Sequence, residues 1–171
     1  MAAPQSGSAA EASIEYAVKA NLLYKFGEYI SWPAEALGPP GAPATLCIVG
    51  DNPFGETLDK AVSGERIGEH PAEVKRLDAA AAETLCHILF TRGSAHQSIA
   101  EALRAVAGHP MLTITEAFNF GAGGGVINFV VRDNRVRFEI DQQAAAVNRL
   151  EISSKLLGLA VAVKPAGRSA P

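Results

Sequence analysis

The sequence predicts an α/β fold: a largely parallel central sheet with flanking helices and a C-terminal antiparallel hairpin. Three observations carry that expectation. Short, nearly all-apolar runs at Thr45–Val49, His87–Phe90 and Met111–Thr115 alternate with segments of helical composition. Strands buried on both faces and separated by helices join through right-handed crossovers into a parallel sheet. After Phe120 the rhythm changes to two strand-like runs joined by Asp133-Asn134, a pair that tolerates the positive φ angles of a tight hairpin turn. The composition is that of a folding chain: of 171 residues, 48% are hydrophobic and 19% charged, enough for one domain with a sizeable core. Lys and Arg total 15 against 18 for Asp and Glu, with no basic block, which argues against nucleic acid as the main partner.

The elements follow in order. Residues 1–12, rich in Ala, Ser, Gly and Pro, read as a disordered segment, without the basic and apolar regions of a secretion signal. A single domain is expected over residues 13–164, with a disordered tail over 165–171. Ile14, Val18, Leu22, Leu23, Phe26 and Tyr29 recur at helical spacing, so an amphipathic helix is expected from a Ser13 cap to Tyr29, stopped by Trp32-Pro33. Thr45–Val49 is a buried strand ending at Gly50-Asp51-Asn52-Pro53, with a helix from Pro53 to Val62. Ala72–Leu77 alternates weakly, as an edge strand would, and Ala79–Leu85 suits a short helix. His87–Phe90 is a second buried strand, followed by a helix over Ser94–Ala107, and Met111–Thr115 is another strand.

In the hairpin, opposing Arg132 to Arg135 puts Ile127, Phe129, Val131, Val136, Phe138 and Ile140 on one face. Asn128, Val130, Arg132, Arg135, Arg137 and Glu139 fall on the other. Gln142–Val147 and Ser153–Val161 read as closing helices. The apolar run Leu156–Val163 stops at Lys164-Pro165, short of the roughly 20 residues of a membrane span, so no direct membrane insertion is expected.

Catalytic chemistry finds no constellation. The glycines at 121–125 lead into a strand, whereas a phosphate cradle needs them to lead into a helix N-terminus. His70, His87, His96 and His109 show no metal-ligand spacing, so no metal and no cofactor are expected. Asp51 and Asn52 sit at the carboxyl end of a buried strand, where open α/β sheets bind ligands; the same residues are also ordinary helix-start chemistry. The polar hairpin face carries more tension. Arg132 and Arg135 repel unless an anion or an acidic surface lies between them, and Glu139 can offset Arg137. Cys47 and Cys86 are too few for a disulfide scaffold and are either one bridge or two buried thiols.

Val18-Lys19-Ala20-Asn21-Leu22-Leu23-Tyr24-Lys25-Phe26 followed by Ile30-Ser31-Trp32-Pro33 resembles the opening signature of the YfiR family. Cys47–Gly55, His87–Phe90, Val126–Phe129, Arg135–Ile140 and Ile152–Leu157 follow in that family's order, so the resemblance covers about residues 14–163. It implies a periplasmic protein, exported by a cleaved signal, with no enzymatic activity. Such a protein represses a membrane-bound diguanylate cyclase by binding its periplasmic sensor region, lowering cyclic di-GMP and biofilm formation. It also implies a Cys47–Cys86 disulfide, redox-sensitive release of the partner and a homodimer. A second cysteine pair known in the family falls where this chain has Gly121 and Asn128, which removes any switch located there. Either the Trp32 region or the arginine face is the expected docking surface. The competing expectation is a small-molecule sensor whose anion or nucleotide lies at Asp51-Asn52 or on the arginine face.

Overall fold

Alternation along the strands sorts their side chains onto two faces, and the helices divide accordingly. The computed structural model describes residues 6–116 and 124–167, with side chains described from Ser13 onward. Leu46 and Ile48, Ile88 and Phe90, Leu112 and Ile114, and Ile127 and Phe129 point into one core with Leu23 and Phe26, Leu58 and Leu156. Cys47, Val49 and Leu89 point the other way, into a second core with Ala102, Val106 and Met111. Helix α1 (Ser6–Lys25) and α2 (Thr57–Val62) therefore cover one face, and α3 (Ile99–Val106) covers the other.

The strands in chain order are β1 (Ile30–Ser31), β2 (Ala44–Val49), β3 (Arg66–Ile67), β4 (His70–Leu77), β5 (Ile88–Thr91), β6 (Leu112–Thr115), β7 (Ile127–Arg132), β8 (Arg135–Asp141), β9 (Glu151–Ile152) and β10 (Ala162–Lys164). Eight of them form one sheet in the order β10-β8-β7-β6-β5-β2-β4-β3, while β1 and β9 pair separately. Neighbours from β4 to β7 are parallel, as expected of buried strands joined by crossovers. The hairpin β7–β8 is antiparallel in the expected register, Arg132 against Arg135 and Ile127 against Ile140. Asp133 and Asn134 both take positive φ, 52° and 61°, the signature of the primed turn that this pair tolerates.

Several expectations are corrected. Helix α1 begins at Ser6, so residues 6–12 are helical where disorder was expected, and Ser13 lies inside the helix. It tightens into a 3-10 turn over Phe26–Tyr29, where Gly27 packs so closely on Ile67 that a Cβ would stand 2.8 Å from its side chain. Ala79–Leu85 forms no helix: the Gln97 amide engages both backbone groups of Ala80 at 2.9 Å, and the segment makes a single turn in which the Thr84 N–H donates to the Ala81 carbonyl at 3.0 Å. The third helix starts at Ser98, which forms a capping box with Glu101, while Ser94 closes a turn by accepting from the backbone of His96 and Gln97. Ala72–Leu77 is second from the edge, covered by the two-residue β3. The closing helices are α4 (Gln142–Val147) and α5 (Ser154–Leu157), the latter capped at Ser153 as expected. Beyond Leu157 the chain becomes β10, which pairs parallel to the outer edge of β8.

Arg149 is held at φ 58°, in the left-handed region that costs a side-chain-bearing residue, and its contact with Glu35 at 3.4 Å is solvent-exposed. Arg149→Gly should therefore raise stability by about 0.5–1 kcal/mol, read as a higher denaturation midpoint at unchanged slope.

Candidate functional site

The carboxyl ends of β2 and β5 meet where the chain's crossovers turn to opposite sides of the sheet, the usual ligand crevice of such folds. Here the backbone closes that point. Gly50 lies at φ 81°, and a Cβ on it would stand 2.9 Å from the Gly93 carbonyl oxygen; the Asp51 N–H donates to that same oxygen at 3.1 Å. Asp51 and Asn52 are exposed, and Asn52 Oδ1 accepts from the Phe54 N–H at 2.9 Å, so this side chain serves the turn that leads to α2.

Beside that turn stands a cluster absent from the sequence-based expectations. Lys19, only 3% exposed, donates to Glu15 Oε2 at 2.5 Å and to Glu116 Oε1 at 2.9 Å. Its ammonium lies 4.6 Å from the Tyr16 ring centroid and 5.5 Å from that of Phe129. Tyr16 donates its hydroxyl proton to Glu116 Oε2 at 3.2 Å, and Arg92 Nε approaches the same oxygen at 3.7 Å. A sequence signal exists for part of this: Glu15 and Lys19 are one helical turn apart, and Arg92 and Glu116 each directly follow a buried strand.

Burial, with the Glu116 charge next in weight, pushes the Tyr16 phenol up from 10.0 to about 12. Because the folded state holds this proton more tightly than the unfolded chain, the associated stability is complete below pH 10 and is lost as pH rises toward about 12. Tyr16→Phe should flatten that part of the stability profile, and ultraviolet titration should lose its latest-ionising tyrosine.

The hairpin brings Arg132, Arg135, Arg137 and Glu139 together on one face. The ion pair differs from the expected one: Glu139 Oε2 meets Arg132 Nη2 at 3.5 Å, not Arg137, because Glu139 is buried and Arg132 reaches back along the strand pair. Arg135 and Arg137 are exposed and form no ion pair among the described residues. Exposed Val131, with Ile14 and Val18 of α1, lies beside Arg135 along a groove. Trp32 stands elsewhere, half-buried against the main core and lining a cavity of about 570 Å³ at the β3 edge, with Glu28, Leu37 and Ile67. The structure thus separates Trp32, Asp51-Asn52 and the arginine face.

Cys47 and Cys86 form a disulfide, Cα–Cα 6.0 Å, which fixes the segment before β5 onto the α3 face of the sheet. Asn128, where the resemblance placed one cysteine of a second pair, is buried and its Oδ1 accepts from the Thr115 hydroxyl, while its amide donates to the Gly125 carbonyl at 3.3 Å. Gly121 lies outside the described residues. Among the described residues no group of three or more His, Cys, Asp or Glu could hold a metal ion, and no helix is long and apolar enough to cross a membrane.

Comparison with protein families adds what geometry alone does not carry. The family model described as YfiR/HmsC-like matches residues 16–161, which takes in α1 from Tyr16, the disulfide, the hairpin and α5. A match over most of the chain, carried by the same elements that build both cores, shows that this protein belongs to the YfiR/HmsC-like family of periplasmic, non-catalytic regulators of the diguanylate cyclase pathway.

Proposed function

We propose that this chain represses an inner-membrane diguanylate cyclase by binding its periplasmic sensor region, lowering cyclic di-GMP and with it biofilm formation. The observation that carries the reading is the arginine face of the β7–β8 hairpin. Two guanidinium groups, Arg135 and Arg137, project from the strand pair with no acidic partner among the described residues, and Arg135 at the tip borders the groove lined by the exposed Val131. A surface of opposite charge satisfies both and relieves the repulsion between Arg132 and Arg135. The protein acts as a homodimer, and the Cys47–Cys86 bridge makes binding of the cyclase redox-responsive.

Co-expression with the cognate membrane cyclase should lower cellular cyclic di-GMP. Arg135→Glu with Arg137→Glu should weaken the complex by about 10- to 100-fold while leaving folding stability within about 0.5 kcal/mol, because both side chains are exposed and unpaired. An unchanged cyclic di-GMP level with the folded parent protein overturns the repressor reading. Full repression by the double variant overturns only the assignment of the surface.

A further inference from the structure

We infer that Cys86, and not Cys47, is the sulfur through which the disulfide exchanges with external thiols, the attacking thiolate being seated in a cavity at the amino ends of β2, β5 and β6. The inference stands whether or not the chain contacts a cyclase.

Exchange requires a thiolate to approach one sulfur along the S–S axis while the other sulfur departs. The two sulfurs differ in what surrounds them. Cys47 is fully buried in the middle of β2, paired on one side by β4 and on the other by β5, with Val49, Leu89, Ala102, Val106 and Met111 in its cluster. A thiolate reaching it would have to shed its water and part the sheet from α3. Cys86 belongs to the same cluster and is itself buried, but it lies outside the strands, in the irregular segment before β5, keeps 7% of its surface exposed and borders a cavity of about 380 Å³.

Around Cys86 that cavity is lined by apolar Ala36, Leu85, Pro110 and Met111 and by the polar Glu35, Thr45, Thr84, His87 and His109, and Leu85 stands 80% exposed beside it. The approach to Cys86 is thus of mixed polarity, with the exposed Leu85 side chain as an apolar contact for a dithiol protein whose surface around its reactive cysteine is itself apolar. The rim does not have to unfold to admit it. The His87 ring in its wall is pinned on both sides, Nδ1 accepting from the Thr45 N–H at 2.9 Å and Nε2 lying 2.8 Å from the Ala36 carbonyl oxygen as its donor.

The step balances with the dithiol as two-electron reductant. Its first thiolate attacks Cys86 Sγ, the Cys86–Cys47 bond breaks, and Cys47 departs with the electron pair and is protonated. The second thiol of the reductant, as thiolate, then attacks its own sulfur in the mixed disulfide and releases Cys86. The reductant leaves as a disulfide and the protein as two thiols. Oxidation runs the same path in reverse, with Cys86 attacking the carrier's disulfide.

The test treats the folded, oxidised protein with reduced glutathione, quenches with acid early in the reaction and maps the adduct by peptide mass spectrometry. Adducts should fall on Cys86 over Cys47 by at least an order of magnitude, and the preference should collapse in guanidinium. A folded-state adduct on Cys47, or an even split, overturns the inference. Leu85→Glu, at an exposed position, should slow reduction by a thioredoxin-type dithiol protein while leaving reduction by dithiothreitol unchanged. Equal rates with the dithiol protein overturn the Leu85-contact part of the inference. Neither measurement needs a cysteine variant to fold.

Discussion

Replacing Cys47 and Cys86 together by Ala should lower the stability of the chain by about 4 kcal/mol, with the denaturation midpoint falling in proportion. The bridge closes a loop with a sequence separation of 39. In the chain-entropy account, opening a loop of that length returns that much freedom to the unfolded state. The loop contains α2, β3 and β4, so the constraint acts on the β2–β4 crossover and its edge strand before their pairing is made. A second, smaller loss comes from the packing of two sulfurs that lie in the same cluster as Leu89 and Val106. Because domains of this size are stable by only about 5–15 kcal/mol, the unbridged protein should remain folded at low temperature yet melt well below the parent. Chemical reduction of the parent should give the larger part of this loss, since it opens the loop and keeps both sulfurs in place. A difference below about 1 kcal/mol between bridged and unbridged protein contradicts the account, since it would mean that the unfolded chain is already held together without the bond.

The parts of the fold legible in the sequence are those whose period is set locally. The central strands could be read because Leu46, Cys47, Ile48 and Val49 are apolar at successive positions, which a short strand tolerates only where both of its faces are covered. The hairpin register could be read because a two-residue turn leaves one way to oppose the strands. Strands β1, β3, β9 and β10 could not be read: each is two or three residues long, and whether such a segment is a strand depends on the neighbour it finds. Val161–Lys164 illustrates this. The run from Leu156 is equally apolar throughout, but its first turn is capped by Ser153 while its end meets the unpaired edge of β8. The extended form there gains backbone partners that a longer α5 would leave unmet.

The same limit governed the candidate site. The arginine face follows from register, and Cys86 from family resemblance, but the Lys19 cluster depends on contacts between residues far apart in the chain. Lys19 and Glu116 are separated by 97 positions, and only the crossover from β5 through α3 to β6 brings the carboxylate over α1. Read alone, Lys19 is a cation on the polar side of an amphipathic helix. In the fold it is one of the most deeply buried charged groups, and its energetics are those of the interior.

Lys19→Met should accordingly destabilise the protein by about 3 kcal/mol, more than the deletion of an ordinary surface lysine, because it leaves two carboxylates facing one another around an apolar side chain. Glu116 retains Arg92 at 3.7 Å, but Glu15 loses its only ion pair among the described residues. The cost arises from the carboxylates left behind, so it should be partly reversible. Adding Glu116→Gln to Lys19→Met should recover about 1–2 kcal/mol, and the double-mutant cycle should show a coupling between these positions of similar size. Glu116→Gln alone should also bring the Tyr16 phenol down from about 12, since the Glu116 charge and hydrogen bond hold it up, while burial keeps it above 10.0. The two readouts separate the alternatives. If Lys19 stabilises only through its hydrocarbon stem, Met replaces it with little loss and the cycle shows no coupling. If the charges are what matter, the single variant is costly, the double variant recovers, and Tyr16 follows the carboxylate.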